Sequence, residues 1–409
     1  MKPDLNIGMV GHMFMGRAHS QAWSTIGRAF DLPLRPRMRA ICGPDRADVE
    51  AAAERLGWDA AETDWHALVR RPDIDVVDIC APGALHAAIA TEALEAGKHV
   101  VCEKPMANSV AEARVMVAAA EKASAAGICS MVAYNYRRVP ALALARGLIL
   151  DDRLGTIRHV RAAYLQDWLV DPMLPLNWRM TAAASGSGAV GDIGSHIVDL
   201  SQYLLGDRIE SVCGITETFV KERPLPDRSA WAASGLADDL ASGAVTVPDS
   251  AAFLARFAGG AVGTFEATRM ATGRRNSLRV EVNGSKGSIA FDLERLDELQ
   301  FCDGQDPRPE QGFRRILVTE PMHPWLIGWW PPGHIIGWEH TFANELRDFV
   351  EAVATRTAPR PSFSDGLQVE EVLDALMRSA SGAGWVAVGD QADGYARQPA
   401  GDPAPSRRQ

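Results

Sequence analysis

No stretch of ~18 or more residues in this 409-residue chain stays apolar and free of charge, so no segment is expected to span a membrane. A basic excess is missing too. Forty-two Lys and Arg stand against 52 Asp and Glu, a net charge of -10, which disfavours nucleic acid or an anionic membrane surface as partner. The six cysteines (Cys42, Cys80, Cys102, Cys129, Cys213, Cys302) form no Cys-x-x-Cys pair, and four of them lie in apolar, strand-like runs where free thiols act as small core residues. The first five residues lead straight into such a run, without the apolar segment of a signal peptide. These absences together predict a reduced, cytoplasmic protein with no metal. What is present is ordinary globular composition, 47% hydrophobic and 23% charged, in a chain too long for one core, so two domains are expected.

Two periodicities alternate in the first third. Short β-type runs at 5–10, 38–42, 76–80, 99–102 and 128–133 are separated by helical stretches at 16–29, 45–56, 86–96 and 109–125. Strands apolar on both faces and spaced by helices predict a parallel, doubly wound sheet. After about residue 135 the pattern changes. Longer strand candidates at 157–168, 209–220, 251–257, 261–270, 277–282 and 288–293 are joined in places by turn residues, Gly259-Gly260 and Asn283 to Gly287, which predicts a mostly antiparallel sheet. Helices at 190–205, 340–355 and 368–379 are expected to cover one face of it. The expectation is an α/β protein with one domain over 1–135, a second over 136–388, and a tail over 389–409 too poor in apolar residues to fold.

The run after the first strand, Gly11-His12-Met13-Phe14-Met15-Gly16, has the first and third glycines of a dinucleotide-binding turn, with Met13 at the middle position. A side chain at that position is expected to push a pyrophosphate outward or shift the loop. At the end of the second strand, Asp45 offers a carboxylate to a ribose or a cap to the next helix, and Arg46 could meet a phosphate. NAD is the favoured cofactor, with NADP possible.

Cys102-Glu103-Lys104-Pro105 closes the fourth strand at the carboxyl edge, where ligands of open α/β sheets bind. A lysine there can donate to a hydroxyl and stabilise a developing alkoxide. Farther on, Asp192 and His196 are four residues apart and on a helix would share a face, so that the carboxylate could orient the imidazole that takes a proton. Glu103-Lys104-Pro105, the run Ala81-Pro82-Gly83-Ala84-Leu85-His86, and Gly191-Asp192-Ile193-Gly194-Ser195-His196 together resemble the Gfo/Idh/MocA oxidoreductase family over nearly the whole chain. The resemblance implies a Rossmann domain followed by an open-sheet α/β domain, and Lys104, Asp192 and His196 as the catalytic trio. It also implies cofactor contacts from Gly11, Met13, Phe14, Met15, Gly16, Asp45, Arg46, Ala81, Pro82, His86, Glu103, Lys104 and Arg179. Met13 and Gly43 depart from the family's usual glycine and acidic residue.

The segments 14–20 and 329–342, the latter with Trp329, Trp330, His334 and Trp338, look like those of family members that oxidise the C3 hydroxyl of a levoglucosan-type anhydrosugar with NAD. Indole faces stack on sugar C–H faces while polar neighbours bind hydroxyls, although such a loop can equally serve packing. The substrate-contact candidates are therefore Lys104, Asn135, Gln166, Asp192, His196, Trp330 and His334. Asp199, one turn beyond His196, is expected to face solvent or cap a neighbour. The expected activity is dehydrogenation of a secondary hydroxyl of a cyclic sugar. Dehydrogenation of an inositol or other polyol is an alternative, as is a glycosidase or lyase that uses bound NAD transiently. Small carbohydrate is the expected partner, and the second sheet is expected to form a homodimer or homotetramer.

Overall fold

A computed structural model describes residues 2–225 and 241–389; the tail expected beyond 389 lies outside the described residues. The first unit runs β1 (Asp4–Val10), α1 (Phe14–Ala29), β2 (Arg35–Cys42), α2 (Arg46–Leu56), β3 (Ala60–Glu62), α3 (Trp65–Arg70), β4 (Val76–Ile79), α4 (His86–Glu95), β5 (His99–Glu103), α5 (Val110–Ser124) and β6 (Ser130–Ala133). Its sheet has the order β3-β2-β1-β4-β5-β6 with every pairing parallel. The order reverses between β1 and β4, which opens a crevice beyond their carboxyl ends. The edge strand β3 and the helix α3 escaped the sequence reading, because three residues and six residues carry too little periodicity to register.

The chain then forms α6 (Pro140–Leu150), β7 (Ile157–Leu165), α7 (Ala182–Ser185), α8 (Ser195–Leu205), β8 (Ile209–Glu217), and a small ribbon of β9 (Glu222–Pro224) and β10 (Ser242–Ala244). There follow β11 (Ser250–Phe257), β12 (Val262–Thr268), β13 (Ser277–Gly284), β14 (Gly287–Asp292), β15 (Glu298–Asp303), β16 (Arg314–Leu317), α9 (Glu339–Thr355), α10 (Phe363–Arg378) and β17 (Val386–Ala387). Nine strands make one sheet in the order β16-β15-β14-β13-β7-β12-β11-β8-β17. Among the described residues only the β7–β12 pairing in it is parallel. Gly260, at φ +93°, turns β11 into β12, where glycine's freedom at positive φ is used directly.

Alternation decides the faces of this sheet. In β11 the side chains of Ala251, Phe253, Ala255 and Phe257 are buried, and those of Ala252, Leu254 and Arg256 are exposed. The buried face packs against α8 and α10. The outer face bears Ile215 and Leu254 but also Arg161, Glu266, Arg279 and Glu281, so it is more polar than the apolar runs suggest.

One helix does not go where the pattern sent it. α9 was expected on the second sheet, yet it packs on α1. Its apolar stripe, Phe342, Leu346, Phe349, Val350 and Val353, joins a core with Ile7, Met9, Ala18, Ala22 and Ile26 of the first unit. α1 presents Ala18, Ala22 and Ile26 as an apolar surface too, and periodicity alone cannot say which apolar surface a helix will meet.

Candidate functional site

The turn from β1 to α1 has the features that hold a dinucleotide. Gly11 adopts φ +106°, and a Cβ there would lie 2.4 Å from the Cys80 carbonyl oxygen. A Cβ at Gly16 would lie 2.1 Å from the Gly11 carbonyl oxygen. Glycine is thus required at both ends, for the turn and for close helix contact. Helix α1 begins at Phe14 with no side-chain cap and no acidic residue in its first turn. Its first backbone N–H groups are left for an anionic ligand. Met13 occupies the middle position with an ordinary φ of -78°, and its side chain is 73% exposed. These residues fit the pyrophosphate of a dinucleotide. Met15 packs against the core behind the turn.

Around the rim, Asp45 accepts from the Asp48 backbone N–H at 3.0 Å as the cap of α2, and Arg46 bonds Glu50 at 3.1 Å. After β4, Ala81 and Pro82 lead to His86, whose ring nitrogens lie 2.8 Å from the Ala81 carbonyl oxygen and 2.9 Å from that of Pro105. His86 therefore clamps the loop after β4 to the Lys104–Pro105 corner, and burial pushes its pKa down.

Lys104 leaves the end of β5. Its Nζ donates to the Asp192 carbonyl oxygen at 2.6 Å and to Asp192 Oδ1 at 3.2 Å. Asp192 sits in a π-turn, Val190–Gly194, that runs directly into α8, and His196 is in the first turn of that helix. A π-turn is a frequent device at functional sites, because it re-aims side chains within a helix. Asp192 does not orient His196 by a hydrogen bond. Its second oxygen pairs instead with Arg269 at 2.9 Å. Burial raises the Asp192 pKa, but the charges of Lys104, Arg269 and Arg179 overcome this and hold the carboxyl well below its usual range.

His196 is 6% exposed, and among the described residues its ring has no hydrogen-bond partner. The ring packs on Tyr136 at 4.7 Å and Tyr164 at 5.7 Å between centroids. Burial, joined by the Lys104 charge, depresses its pKa well below the ordinary imidazole value. The chain thus assembles a cationic donor beside a neutral acceptor.

Two residues absent from the sequence-derived candidates, Arg269 and Tyr164, line this site, together with Trp338 of the Trp-rich segment already singled out. Arg269, just past β12, is fully buried, and it also donates to the Arg179 carbonyl oxygen at 3.2 Å. Nothing local in Thr268-Arg269-Met270 marks it. Tyr164 links the Tyr136 hydroxyl, 2.8 Å away, to Asn276, 2.7 Å away. Trp338 donates to the Tyr136 hydroxyl at 3.3 Å and stacks on Phe14 at 5.6 Å, so it connects the dinucleotide turn with the wall around His196.

Gln166 joins that wall, donating to Asn276 at 2.8 Å and accepting from Trp168 at 2.9 Å. Arg179 lies over the Trp178 ring at 4.2 Å. Asn135, by contrast, is buried and donates to Thr341 of α9 at 2.8 Å. Trp330 is 55% exposed, and the His334 ring bonds only the carbonyl of Pro331 in its own loop. Asp199 departs from expectation: it is 2% exposed and pairs with Arg137 through contacts of 2.9 and 2.5 Å. The face of α8 that carries His196 turns inward, so a carboxylate three residues later needs a buried partner.

Behind Lys104, His19 lies between Asp78 and Glu103, with a ring nitrogen 3.0 Å from each. Burial opposes its charge, but the Asp78 carboxylate prevails and holds its pKa well above the ordinary value. The other Glu103 oxygen accepts from the Lys104 backbone N–H at 3.1 Å. His19, Asp78 and Cys80 are the one group among the described residues with metal-ligand types close together, and both His19 nitrogens are already taken by carboxylates.

A doubly wound nucleotide sheet with a lysine, carboxylate and imidazole at its carboxyl edge defines an NAD-linked oxidoreductase. Residues 5–130 match the model of the oxidoreductase family with an NAD-binding Rossmann fold, and residues 142–290 match the Gfo/Idh/MocA C-terminal domain. The chain belongs to the Gfo/Idh/MocA family. It is 42% identical, over 94% of its length and 98% of the relative's, to levoglucosan dehydrogenase of Pseudarthrobacter phenanthrenivorans. Among solved structures, an oxidoreductase domain protein from Kribbella flavida is 55% identical with a TM-score of 0.90, covering 95% of this chain and 100% of that one. Levoglucosan dehydrogenase in complex with NADH and levoglucosan is 41% identical with a TM-score of 0.88, covering 94% and 99%.

Proposed function

We propose that the protein oxidises a secondary hydroxyl of a cyclic sugar of the levoglucosan type, at C3, with NAD as acceptor. The observation that carries this reading is the contact of Lys104 with Asp192, one turn before a buried, neutral His196, at the edge of a nucleotide crevice. The likeness to levoglucosan dehydrogenase supports the sugar class. Bound NAD supplies the hydride acceptor. Lys104 donates to the substrate oxygen and disperses its developing charge, and His196 takes the hydroxyl proton into a ring that burial keeps free to accept one. Asp192 holds the Lys104 ammonium in place while Arg269 holds Asp192. Beside His196, Gln166 would offer its amide and Trp168 an indole face to the sugar, held by the Tyr136–Tyr164–Asn276 hydrogen bonds behind them.

The second sheet would pair subunits through its outer face, where Ile215 and Leu254 stand among charges able to match a symmetry copy. A cytoplasmic location agrees with six cysteines free of disulfides. Among the described residues no helix is long and apolar enough to cross a membrane.

The test is a panel of levoglucosan, inositols and glucosides assayed by NADH absorbance, with NADP in parallel. Lys104→Ala should reduce turnover on the best substrate by at least ~100-fold while NADH still binds. Turnover near wild type would refute the role given to Lys104. Product formation without net NADH would point to transient use of the cofactor by a hydrolase or lyase.

A further inference from the structure

In a doubly wound sheet the residue that closes the second strand is normally acidic and takes the adenosine ribose hydroxyls of the dinucleotide. Here that position is Gly43. The carboxylates nearby are engaged elsewhere: Asp45 caps α2, Glu62 pairs with Arg71 at 3.0 Å, and Asp64 accepts from the His66 backbone N–H at 2.9 Å.

The space above Gly43 is filled by another residue. A Cβ at Gly43 would lie 2.2 Å from His12 Nδ1 and 2.5 Å from its Cε1, so the imidazole occupies the volume that a side chain at 43 would need. His12 belongs to the dinucleotide turn itself, directly after Gly11, whose N–H is anchored on the Cys42 carbonyl oxygen at 2.9 Å. The ring is 9% exposed, its Nδ1 is buried without a partner, and among the described residues no hydrogen bond satisfies either ring nitrogen. Nδ1 is closed off against Gly43, so the nitrogen that a ligand in the crevice can reach is Nε2, which has no protein partner among the described residues.

We infer that His12, seated on Gly43, replaces the missing carboxylate and hydrogen-bonds the adenosine ribose of the bound dinucleotide. The exchange of side chains between the two positions sets the cofactor preference. A neutral imidazole has one donor and one acceptor, enough for a ribose hydroxyl, and it carries no negative charge to repel a 2′-phosphate. The chain therefore accepts NADPH more readily than an acid at position 43 would allow. This inference rests on the reading of the crevice as an NAD site.

Direct titration of the purified full-length protein with NADH and with NADPH, followed by nicotinamide fluorescence without sugar, tests it. His12→Ala should weaken NADH at least ~5-fold, the loss of one buried hydrogen bond. His12→Gln, which keeps a donor and an acceptor, should stay within ~3-fold of wild type. The double variant H12G/G43D should recover NADH affinity and lose NADPH by at least ~10-fold relative to wild type, through charge repulsion. Equal NADH affinity in His12→Ala and wild type would overturn the assignment, as would an unchanged NADPH affinity in the double variant. Should His12→Ala not fold, weakening by His12→Gln as large as that expected for removal of the ring would also overturn it. A wild type that binds neither nucleotide would sink the cofactor reading itself, an outcome distinct from each of these.

Discussion

The Lys104 ammonium has two effects on the chemistry at once: it anchors on Asp192 and it depresses the His196 pKa. The proton-accepting form of His196 should therefore persist as pH falls through ~6.5, where an unperturbed histidine would become charged. The profile of kcat/KM should lack an acid limb in that region and decline only farther down. In Lys104→Met, residual activity should show that limb displaced to higher pH, because one depressing charge is gone. A half-loss of wild-type activity near ~6.5 would count against this account. Arg269→Lys makes a second test, because it removes one of two hydrogen bonds made by a buried guanidinium. One charge-assisted hydrogen bond corresponds to ~1.5–3 kcal/mol, so kcat should drop about 10- to 100-fold, and most of the effect should appear in kcat rather than KM. Lys104, Asp192 and His196 were visible as candidates in the sequence because they sit in compact motifs. Arg269 and Tyr164 were not visible, since they reach the site through strand pairing across 77 and 28 residues of separation from their partners Asp192 and Tyr136. The burial of Asp199 was not legible either, because period alone places a residue on a helix face without saying what that face meets.

Among the elements, α9 carries the most unusual side chain. Glu345 is fully buried, both of its carboxylate oxygens lack partners, and burial raises its pKa to about 8, despite the opposing charges of Arg138 and His19. The folded state then keeps a proton that the unfolded chain releases above ~4.3. Its contribution to stability is fully present below ~4.3 and shrinks as pH rises toward 8. Glu345→Gln should accordingly leave the melting temperature nearly unchanged at pH 5 and raise it progressively up to pH 8. Thermal denaturation of both forms across that interval measures the difference, and a gain independent of pH would contradict the argument. The parallel strands of the first sheet other than β3 were legible because each contains an apolar run, and the βα turn because glycine is its punctuation. Short elements such as β3, β16 and β17 gain their geometry from neighbours already in the sheet, and so they leave little trace in the local sequence.

For the whole molecule, the outer face of the nine-stranded sheet carries the prediction. If two copies meet there, light scattering should report a multiple of 44.1 kDa, and I215E together with L254E should shift the population toward the monomer without reducing NADH binding. A wild type that stays at the single-chain mass at micromolar concentration would defeat the proposed pairing. The change from a parallel to a mostly antiparallel sheet followed from the switch in period after about residue 135. The attachment of α9 to α1 did not, because the choice between two apolar surfaces is made by shape.

That attachment has a bearing on how the chain comes into being. Phe342, Leu346, Phe349 and Val350 close a core whose α1 residues, Ala18, Ala22 and Ile26, were synthesised more than 300 residues earlier. During translation the nucleotide half must wait, with its α1 flank uncovered, until nearly the last helix leaves the ribosome. A nascent chain stalled before residue 339 should bind chaperone and yield readily to protease at α1, whereas one released after residue 355 should resist.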